Sequence, residues 1–496
     1  MLLNQKTKLL TALIILLLCA AESRSQQLLG LVNSNFAGSN STLINPSQLN
    51  SSKLYMDINL VTFDFFADND FLHIQAGDYS FAEFLKRDPQ FPEYGPDDLP
   101  FDRYDNTRNK NVFVQVLGRG PSFFQNRGKH SYGLHTGVRV LSSVGQVPYE
   151  IGNFGYYGLD YEPQHNINYD DYDFYANSIA FAEVGATYSY SMIKYGFDEI
   201  DIGITAKALF SYTGAYAYIN NINYIIPNDS TANIKNLNVE AGYSLPLDYE
   251  NNDFPGNTDF IKGTGFGFDL GITYQRKVRT YQKRRYDKLC HQRYIDYKYK
   301  IGFSLLDIGY VRFTKNAQSH AFEDVNRYWN NIDTLSYFNM DQLVRDFNDV
   351  FYGVPDASYR GDVMTMFLPA AFSVQADYHY YRNWYFNATL VQPLPISRSM
   401  IVRPAQVAFT PRYETPAFEA AIPISLYNWR HPRVGVAIRY HFITVGTDNL
   451  GGFFGLTDFT GLDFYFSVKL NFSKGNCKFF NRFVPCQNFE YGLPGQ

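Results

Sequence analysis

Apolar and polar residues alternate strictly over residues 462–472, close to the C-terminus of the chain. Successive side chains of a β-strand point to opposite faces, so this segment has one apolar face and one polar face. A strand with two such faces fits the boundary between lipid and water. The apolar face consists of Leu462, Phe464, Phe466, Val468, Leu470 and Phe472.

Segments of the same kind recur along the chain, and we count thirteen of them within residues 54–472. A single-chain bacterial barrel has an even number of strands. We therefore predict an all-β fold, a transmembrane outer-membrane β-barrel of about 14 antiparallel strands, with the missing strand downstream of Phe372. A phase shift at Leu305 and Leu306 predicts a β-bulge.

The spacing between the predicted strands orients the barrel. The connections over residues 143–178, 220–262 and 315–366 are long, whereas others, such as the one near Tyr195, are short. Because barrels place long loops outside the cell and short turns in the periplasm, we predict that these three loops are extracellular. In the third loop, apolar residues at helical spacing over 341–351 predict a short helix.

The N-terminus indicates export. Two lysines precede an apolar run over residues 9–21, and Ser23 and Ser25 occupy the −3 and −1 positions of a cleavage site. This pattern predicts a signal peptide over residues 1–25. A lipoprotein signal centred on Cys19 is the less favoured alternative. We expect the mature protein in the cell outer membrane, in contact with lipid and lipopolysaccharide.

The composition argues against other classes of protein. Aromatic residues make up 18% of the chain, with 41 Tyr and 43 Phe, which suits the aromatic girdles of a barrel. The net charge of −5 argues against nucleic acid as a partner. After the signal peptide no run of 18 apolar residues remains, so we expect no membrane-spanning helix.

Three cysteines remain after the signal peptide is removed. Cys477 and Cys486 lie in residues 473–496, a predicted periplasmic tail, and are close enough in sequence to pair. Since exported proteins fold under oxidising conditions, we predict a disulfide between these two residues. Cys290 then has no partner in the sequence. Such an odd cysteine in an exported protein is usually a free cysteine in a loop and less often forms an intermolecular disulfide.

Few residues suggest catalysis or cofactor binding. The glycine-rich segment 263–267 lies within a predicted strand, which argues against a phosphate-binding loop. Metal binding could be considered at His130 and His135, or at the acidic residues around 170–173. Each is a single cluster without a second set of ligands, which is weak evidence for a metal site. We therefore predict a non-enzymatic protein without catalytic residues, metal or other cofactor.

The strongest concentration of positive charge lies in residues 276–293, between two predicted strands. Its arginines, lysines and tyrosines could contact anionic lipid headgroups or an acidic partner. A solvated periplasmic hairpin explains the same composition equally well. Both interpretations stay open at this point.

Several short segments resemble an uncharacterised family of Bacteroidota outer-membrane proteins. The distant relatives of that family are the FadL-type channels for hydrophobic compounds and the PorV-like barrels of the type IX secretion system. The resemblance extends from about residue 26 to about residue 472. It rests on Asn-Phe-Ala-Gly at 35–38, Ile-Asn-Pro-Ser at 44–47, Met-Asp-Ile-Asn-Leu at 56–60, Ser-Leu-Leu-Asp-Ile-Gly-Tyr at 304–310 and Gly-Thr-Asp-Asn-Leu at 446–450.

The resemblance implies an N-terminal plug segment over residues 26–53. In the FadL-like pattern an Asn-Pro-Ala motif lies in such a plug, and Asn45 and Pro46 take its place here, with Ser47 in place of Ala. A plug also has a physical reason, because the lumen of a fourteen-strand barrel is too wide for its own wall side chains to fill.

Charged residues on the polar faces of the predicted strands bear on function. A channel for hydrophobic compounds needs a continuous apolar pocket, whereas these residues would place charge in the lumen. We therefore expect a subunit of an outer-membrane protein complex for secretion, assembly or surface display, with outer-membrane or periplasmic protein partners. The alternative is FadL-like passive transport of a hydrophobic small molecule. The lumen-facing candidates are Arg139, Glu183, Lys207, Asp269 and Asp377.

Overall fold

Fourteen antiparallel strands close into a barrel within the described part of the chain. The computed structural model describes residues 28–79, 86, 92–95, 99–195, 197–251, 259–278, 287–289, 292–293, 296–332 and 339–472. The barrel strands are β1 (Met56–Asn69), β2 (Lys110–Arg119 and Ser122–Arg127), β3 (His130–Val147), β4 (Tyr169–Tyr195), β5 (Asp198–Asn228), β6 (Gly263–Lys277), β7 (Tyr297–Phe313), β8 (Met364–Phe367 and Ala371–Tyr381), β9 (Trp384–Pro393), β10 (Gln406–Glu414), β11 (Phe418–Ala421 and Ile424–Tyr427), β12 (His431–Val434 and Val436–Tyr440), β13 (Ile443–Thr447) and β14 (Asp463–Phe472).

The first and last strands close the barrel. On β1, Met56 pairs with Phe472 and Phe65 pairs with Phe464 of β14, in antiparallel register. The other side of β1 pairs with β2. Closure leaves the barrel without an exposed edge strand.

The alternation in the last strand has the predicted consequence. Lys469 is 2% exposed and faces the lumen, whereas its neighbour Leu470 is 40% exposed and faces outward. The same alternation continues through Asp463 and Tyr465, which are buried. The polar face therefore lines the inside of the barrel, and the apolar face forms the outer wall.

The strand missing from the sequence-based count is β13. It has only five residues, Ile443–Thr447, and a short turn at His441 separates it from β12. The predicted position of the missing strand, downstream of Phe372, is confirmed. With β13 in place, the loop after it and the other long loops share one end of the barrel, which we call the outer end. The opposite end is the inner end.

The predicted bulge in β7 is also confirmed. Phe268 of β6 pairs with Ile308, whereas Leu270 pairs with Leu305, so β7 has an extra residue at this point. Asp307 lies in the bulge with a φ of 51°, a left-handed conformation that Asp tolerates better than most residues. Its backbone N–H donates a 2.7 Å hydrogen bond to the carboxylate of Asp269 instead of a carbonyl oxygen.

Strands β4 and β5 extend beyond the barrel at the outer end, further than predicted. They carry what we call the outer cap, which has its own apolar core around Phe322, Trp329 and Phe351. The helix predicted over residues 341–351 is confirmed. The cap comprises the strands Thr231–Ser244, Gln318–Phe322, Arg327–Asn330 and Tyr359–Gly361 and the helix Met340–Tyr352.

The remaining helices are short. They are Leu29–Val32, Gln48–Ser51, Tyr149–Tyr157 and Leu450–Phe453, with 3₁₀ turns at Gly38–Leu43 and Glu162–Gln164. Within the described ranges no helix is long and apolar enough to cross a membrane.

Several sequence predictions fall outside the described residues. They are the signal peptide over residues 1–25, the tail over 473–496 with its disulfide between Cys477 and Cys486, and most of the basic segment 276–293.

Candidate functional site in the barrel lumen

The N-terminal segment, residues 28–55, lies inside the barrel. Every residue in it is buried except Leu43, which is half-buried. Its hydrogen bonds reach opposite parts of the wall: Ser34 donates to Glu419 of β11 at 2.7 Å, and Asn40 donates to Thr62 of β1 at 3.0 Å. The segment thus bridges the lumen.

Asn45 and its neighbours form a densely hydrogen-bonded corner of the N-terminal segment. The Asn45 side chain donates to Gln375 of β8 at 2.9 Å, and its Oδ1 accepts from the Ser47 backbone N–H at 3.0 Å. The Ser47 hydroxyl lies 2.6 Å from both Asn45 Oδ1 and Thr273 Oγ1. Serine at position 47, where the FadL-like motif has alanine, therefore adds polar contacts to this corner.

Three wall glycines make room for this corner. A β-carbon at Gly203 would lie 2.4 Å from Ser47 N, and one at Gly271 would lie 2.1 Å from Asn45 Oδ1. A β-carbon at Gly302 would lie 2.8 Å from Asn45 Nδ2. Any side chain at these positions would collide with the corner, so the sequence of the wall is fitted to the N-terminal segment.

A layer of paired charges lies on the outer side of this corner, with Asp307 at its centre. Asp307 accepts hydrogen bonds from Arg139 at 2.9 and 3.0 Å, from Lys207 at 2.7 Å and from Arg403. All four side chains are buried. The bulge in β7 thus places one carboxylate among three cations.

Two more carboxylates complete this charge layer. Lys207 also donates to Asp269 at 2.8 Å, and Arg139 lies 3.4 Å from Glu183. Four of the five lumen-facing candidates from the sequence therefore come together. We define the charge layer as Arg139, Glu183, Lys207, Asp269, Asp307 and Arg403.

The fifth candidate, Asp377, lies elsewhere, near the inner end. It accepts a 2.8 Å hydrogen bond from Arg412, which is fully buried and also donates to Glu414 at 3.0 Å. Glu414 in turn accepts from the Asn35 side chain at 2.9 Å. This group fixes the N-terminal segment to β10.

Arg403 reaches the charge layer from a loop that folds into the lumen. This lumen loop, residues 394–405, joins β9 to β10 at the outer end. Its backbone contacts strands across the barrel: Met400 O accepts from Asn177 of β4 at 2.7 Å, and Val402 N donates to Ser143 of β3 at 3.2 Å. The sequence analysis made no prediction for this loop and did not identify Arg403.

Apolar side chains line the lumen beyond the charge layer, toward the outer end. Leu209, for example, follows Lys207 on the same face of β5 and is 1% exposed. The lumen loop contributes Ile401, which is fully buried. We define the apolar layer as Phe66, Phe113, Leu141, Ile179, Phe181, Leu209, Val311, Phe313, Met364, Met366, Leu368, Ile401 and Tyr427.

The lumen therefore changes character along its axis. From the inner end it contains the N-terminal segment, then the charge layer, then the apolar layer. Because the charges of the layer face one another at hydrogen-bonding distance, much of the cost of burying them is offset. The apolar layer offers dispersion contacts to a nonpolar solute. One buried cation, Arg433, packs against its Phe66 and Tyr427 rings and is paired with Asp68.

Two of the sequence motifs that resemble the Bacteroidota family, at 304–310 and 446–450, each contain an aspartate that makes contacts inside the lumen. Asp307 is the centre of the charge layer. Asp448 accepts from the backbone N–H of Leu29 at 3.3 Å and from the Tyr465 hydroxyl at 3.1 Å. The sequence analysis quoted both motifs without assigning a role to either aspartate.

Comparisons with known proteins were made in sequence and in structure. Among curated proteins, no sequence matches this chain. The structure of the Ralstonia pickettii toluene transporter TbuX is 8% identical, with 91% of this chain and 99% of that chain covered and a TM-score of 0.39. A TodX monoaromatic hydrocarbon channel with the ΔS2S3 mutation is 9% identical, with 90% and 99% covered and a TM-score of 0.41.

A third similar structure is that of a Pseudomonas aeruginosa FadL homologue, which is 10% identical, with 91% of this chain and 100% of that chain covered and a TM-score of 0.32. A relationship to FadL-type channels, a relationship to PorV-like barrels and a Bacteroidota origin all stay predictions from the sequence. Over residues 46–448 the sequence matches the family of unknown function DUF5723, and the chain belongs to that family.

Proposed function

We propose that this protein is a non-enzymatic outer-membrane channel for the passive passage of hydrophobic small molecules. The observation that carries the proposal is the apolar layer inside the lumen. A barrel whose outer wall faces lipid has no need of apolar residues on its inner face for insertion. Inward-facing residues such as Phe181, Phe313 and Met366 therefore suit contact with a nonpolar solute.

The lumen charges that favoured a protein-complex subunit on sequence grounds do not oppose this function. Arg139, Lys207 and Arg403 are paired with carboxylates. A nonpolar molecule in the outer half of the lumen would meet the apolar layer before it meets these charges.

We further propose that the N-terminal segment acts as a plug. Its burial and its bonds to opposite walls support a role in closing the inner part of the lumen to water and polar solutes. Passage of a solute would then require this segment to shift or the solute to leave the lumen sideways. The mature protein would carry the plug from residue 26, after removal of the signal peptide.

The proposed channel is tested by measuring the uptake of decanol into cells that carry the protein in a lipopolysaccharide-containing outer membrane. Leu209→Asn would place an amide in the apolar layer, where burial without a hydrogen-bond partner costs about 1–3 kcal/mol. If the barrier to passage rises by about 1 kcal/mol or more, the initial rate of radiolabelled decanol uptake should fall about fivefold or more. The matched control Leu209→Met conserves volume and apolar character and should retain the rate. Equal uptake by cells with and without the wild-type protein would overturn the proposal.

A second candidate function is a subunit of an outer-membrane protein complex. The observation that favours it is the outer cap, which forms an ordered surface with its own apolar core around Trp329. Passage through the lumen does not require such a surface. Purification in mild detergent followed by mass spectrometry tests this candidate, and a stable co-purifying outer-membrane or periplasmic protein, lost on removal of the cap, would support it.

A further inference from the structure

Arg119 of β2 is a buried cation next to the charge layer. Its side chain points into the lumen and is 2% exposed. In the strand register Gly137 of β3 lies opposite Arg119, and Glu183 of β4 lies opposite Gly137. One guanidinium nitrogen, Nη2, donates a 2.8 Å hydrogen bond to Thr42 Oγ1 of the N-terminal segment.

The other two nitrogens of Arg119 have no partner. Among the described residues, no acceptor makes a hydrogen bond with Nε or Nη1, and no carboxylate oxygen lies within 4.0 Å of a guanidinium nitrogen. By contrast, Arg139, Lys207 and Arg403 each contact Asp307. Arg119 differs from its cationic neighbours in this respect.

The charge count agrees with the geometry. The charge layer itself holds three cations and three carboxylates, so its formal charges cancel. Arg119 therefore adds a positive charge that this layer does not balance. A buried arginine keeps its charge. The carboxylates of Glu183 and Asp57 attract Arg119 from beyond ion-pair distance, but burying a guanidinium with no carboxylate in contact is costly, so an anion from outside the chain would stabilise this position.

The surroundings of Arg119 also define the shape of such a ligand. Leu117 precedes Arg119 on the same face of β2, and Leu141 lies on the neighbouring strand toward the outer end. Both are nearly fully buried. A ligand whose charged group meets Arg119 would have its apolar part among these residues.

We propose that Arg119 binds an oxyanion group, of the carboxylate class, through Nε and Nη1. This site rests on the proposed function insofar as the oxyanion belongs to the molecule that enters the lumen. The chemistry is the same for a small free anion and for the charged group of an amphiphile. The planar fork of arginine donors matches a carboxylate in a bidentate arrangement.

Binding to the purified full-length protein in nanodiscs tests the site. Equilibrium dialysis with radiolabelled decanoate, decanol and acetate compares an anionic amphiphile, its neutral counterpart and a small free anion, after subtraction of binding to empty nanodiscs. We expect wild-type protein to bind decanoate more tightly than decanol. Arg119→Gln should weaken decanoate binding about 10- to 100-fold, as expected for a charge-assisted hydrogen-bonded pair, and leave decanol unchanged.

The exposed Arg398, which pairs with Glu240, offers a matched control. Arg398→Gln changes the net charge equally and should leave decanoate binding unchanged. Arg119→Lys keeps the charge but loses the fork, so it should weaken binding less than Arg119→Gln, and it replaces that variant if the latter does not fold. Acetate binding that depends on Arg119 would identify a free anion as the ligand.

Two results would overturn the site: equal affinity of the wild-type protein for decanoate and decanol without any acetate binding, or full decanoate binding by Arg119→Gln or Arg119→Lys. The proposed channel can fail separately. If decanol does not bind while acetate binds in an Arg119-dependent manner, the anion site stands and the passage of hydrophobic molecules does not.

Discussion

Gly271 faces Asn45 so closely that a β-carbon on Gly271 would lie 2.1 Å from the side-chain oxygen of Asn45. One residue belongs to the barrel wall and the other to the segment inside the lumen, 226 positions earlier in the chain. The absence of a side chain at position 271 therefore permits the N-terminal segment to hydrogen-bond the wall at this level.

The first prediction concerns this contact. Gly271→Ala should shift the N-terminal segment and lower the free energy of unfolding by about 1–3 kcal/mol, as overpacking of a tight site does. Limited proteolysis from the inner end should then cut within residues 28–55, while the barrel keeps its heat-modifiable migration on SDS gels. Gly118→Ala is the control, since a β-carbon there has its nearest neighbour, Val138 O, at 4.0 Å. Equal protease resistance of both variants would contradict the prediction.

The second prediction concerns the centre of the charge layer. Asp307→Asn preserves a side chain that tolerates the left-handed backbone but removes the charge that three cations share. We expect the free energy of unfolding to fall by about 3–5 kcal/mol, because breaking a buried ion pair leaves charges uncompensated. Urea titration of the protein in vesicles measures the change.

Asp259 provides the control for Asp307. It pairs with Lys315 at 3.0 Å, but both side chains are more than half exposed. Asp259→Asn should change stability by less than about 1 kcal/mol, as is usual for surface pairs. If Asp307→Asn were no more destabilising than Asp259→Asn, the charge layer would not contribute to the stability of the barrel.

The third prediction concerns pH and the outer cap. Burial lowers the pKa of His320 below its ordinary value of 6.5, against the opposing effect of the Asp356 and Asp341 carboxylates. His320 lies 3.0 Å from the Ser358 hydroxyl and stacks on Tyr243.

Because its pKa is lower in the folded cap, His320 binds a proton more readily when the cap is unfolded. Above about pH 6.5 His320 is neutral in both states and the folded cap keeps its full stability, whereas at lower pH protonation of the unfolded cap lowers that stability. Hydrogen exchange of residues 318–322 should therefore be faster at about pH 5 than at about pH 8, after correction for the intrinsic pH dependence of exchange. His320→Gln should remove most of the corrected difference. A wild-type cap with the same corrected protection at both pH values would refute this assignment.

The fourth prediction concerns the tail, which lies outside the described residues. Cys477 and Cys486 should be oxidised to each other in the mature protein, and closure of this loop should stabilise the tail by about 3 kcal/mol on the chain-entropy model. Thiol labelling without reductant should modify Cys290 at most. Free labelling of both tail cysteines would disprove the pairing.

The sequence predicted the barrel because most strands have a polar inner face and an apolar outer face. Asp463 and Phe464 show the pattern, since each is on the face that its polarity indicates. The pattern fails where both faces are apolar: Leu209 lines the lumen and Phe210 faces outward, so no alternation marks the apolar layer. The five residues of β13 are too few to show the period after a turn as short as the one at His441.

The sequence alone could not predict which residues form the charge layer, because two of them are placed there by the tertiary structure. Asp307 faces the lumen through a bulge, and Arg403 reaches it from a loop that folds inward, and neither position follows from the local periodicity. Arg139, Glu183, Lys207 and Asp269 were predictable because they occupy regular inward positions. Their partners could be named only after the strands were placed side by side.

Photolabelling of the lumen tests the central claim most directly. A diazirine-bearing alkane is added to the protein in lipopolysaccharide-containing vesicles, activated by light, and its attachment sites are located by mass spectrometry with and without excess decanol. The proposed channel predicts labels on the inward-facing Phe181, Phe313 and Ile401 that decanol suppresses. Labels confined to outward-facing residues such as Ile272 and Phe303, unaffected by decanol, would show that the apolar layer is only a packed core and would contradict the account.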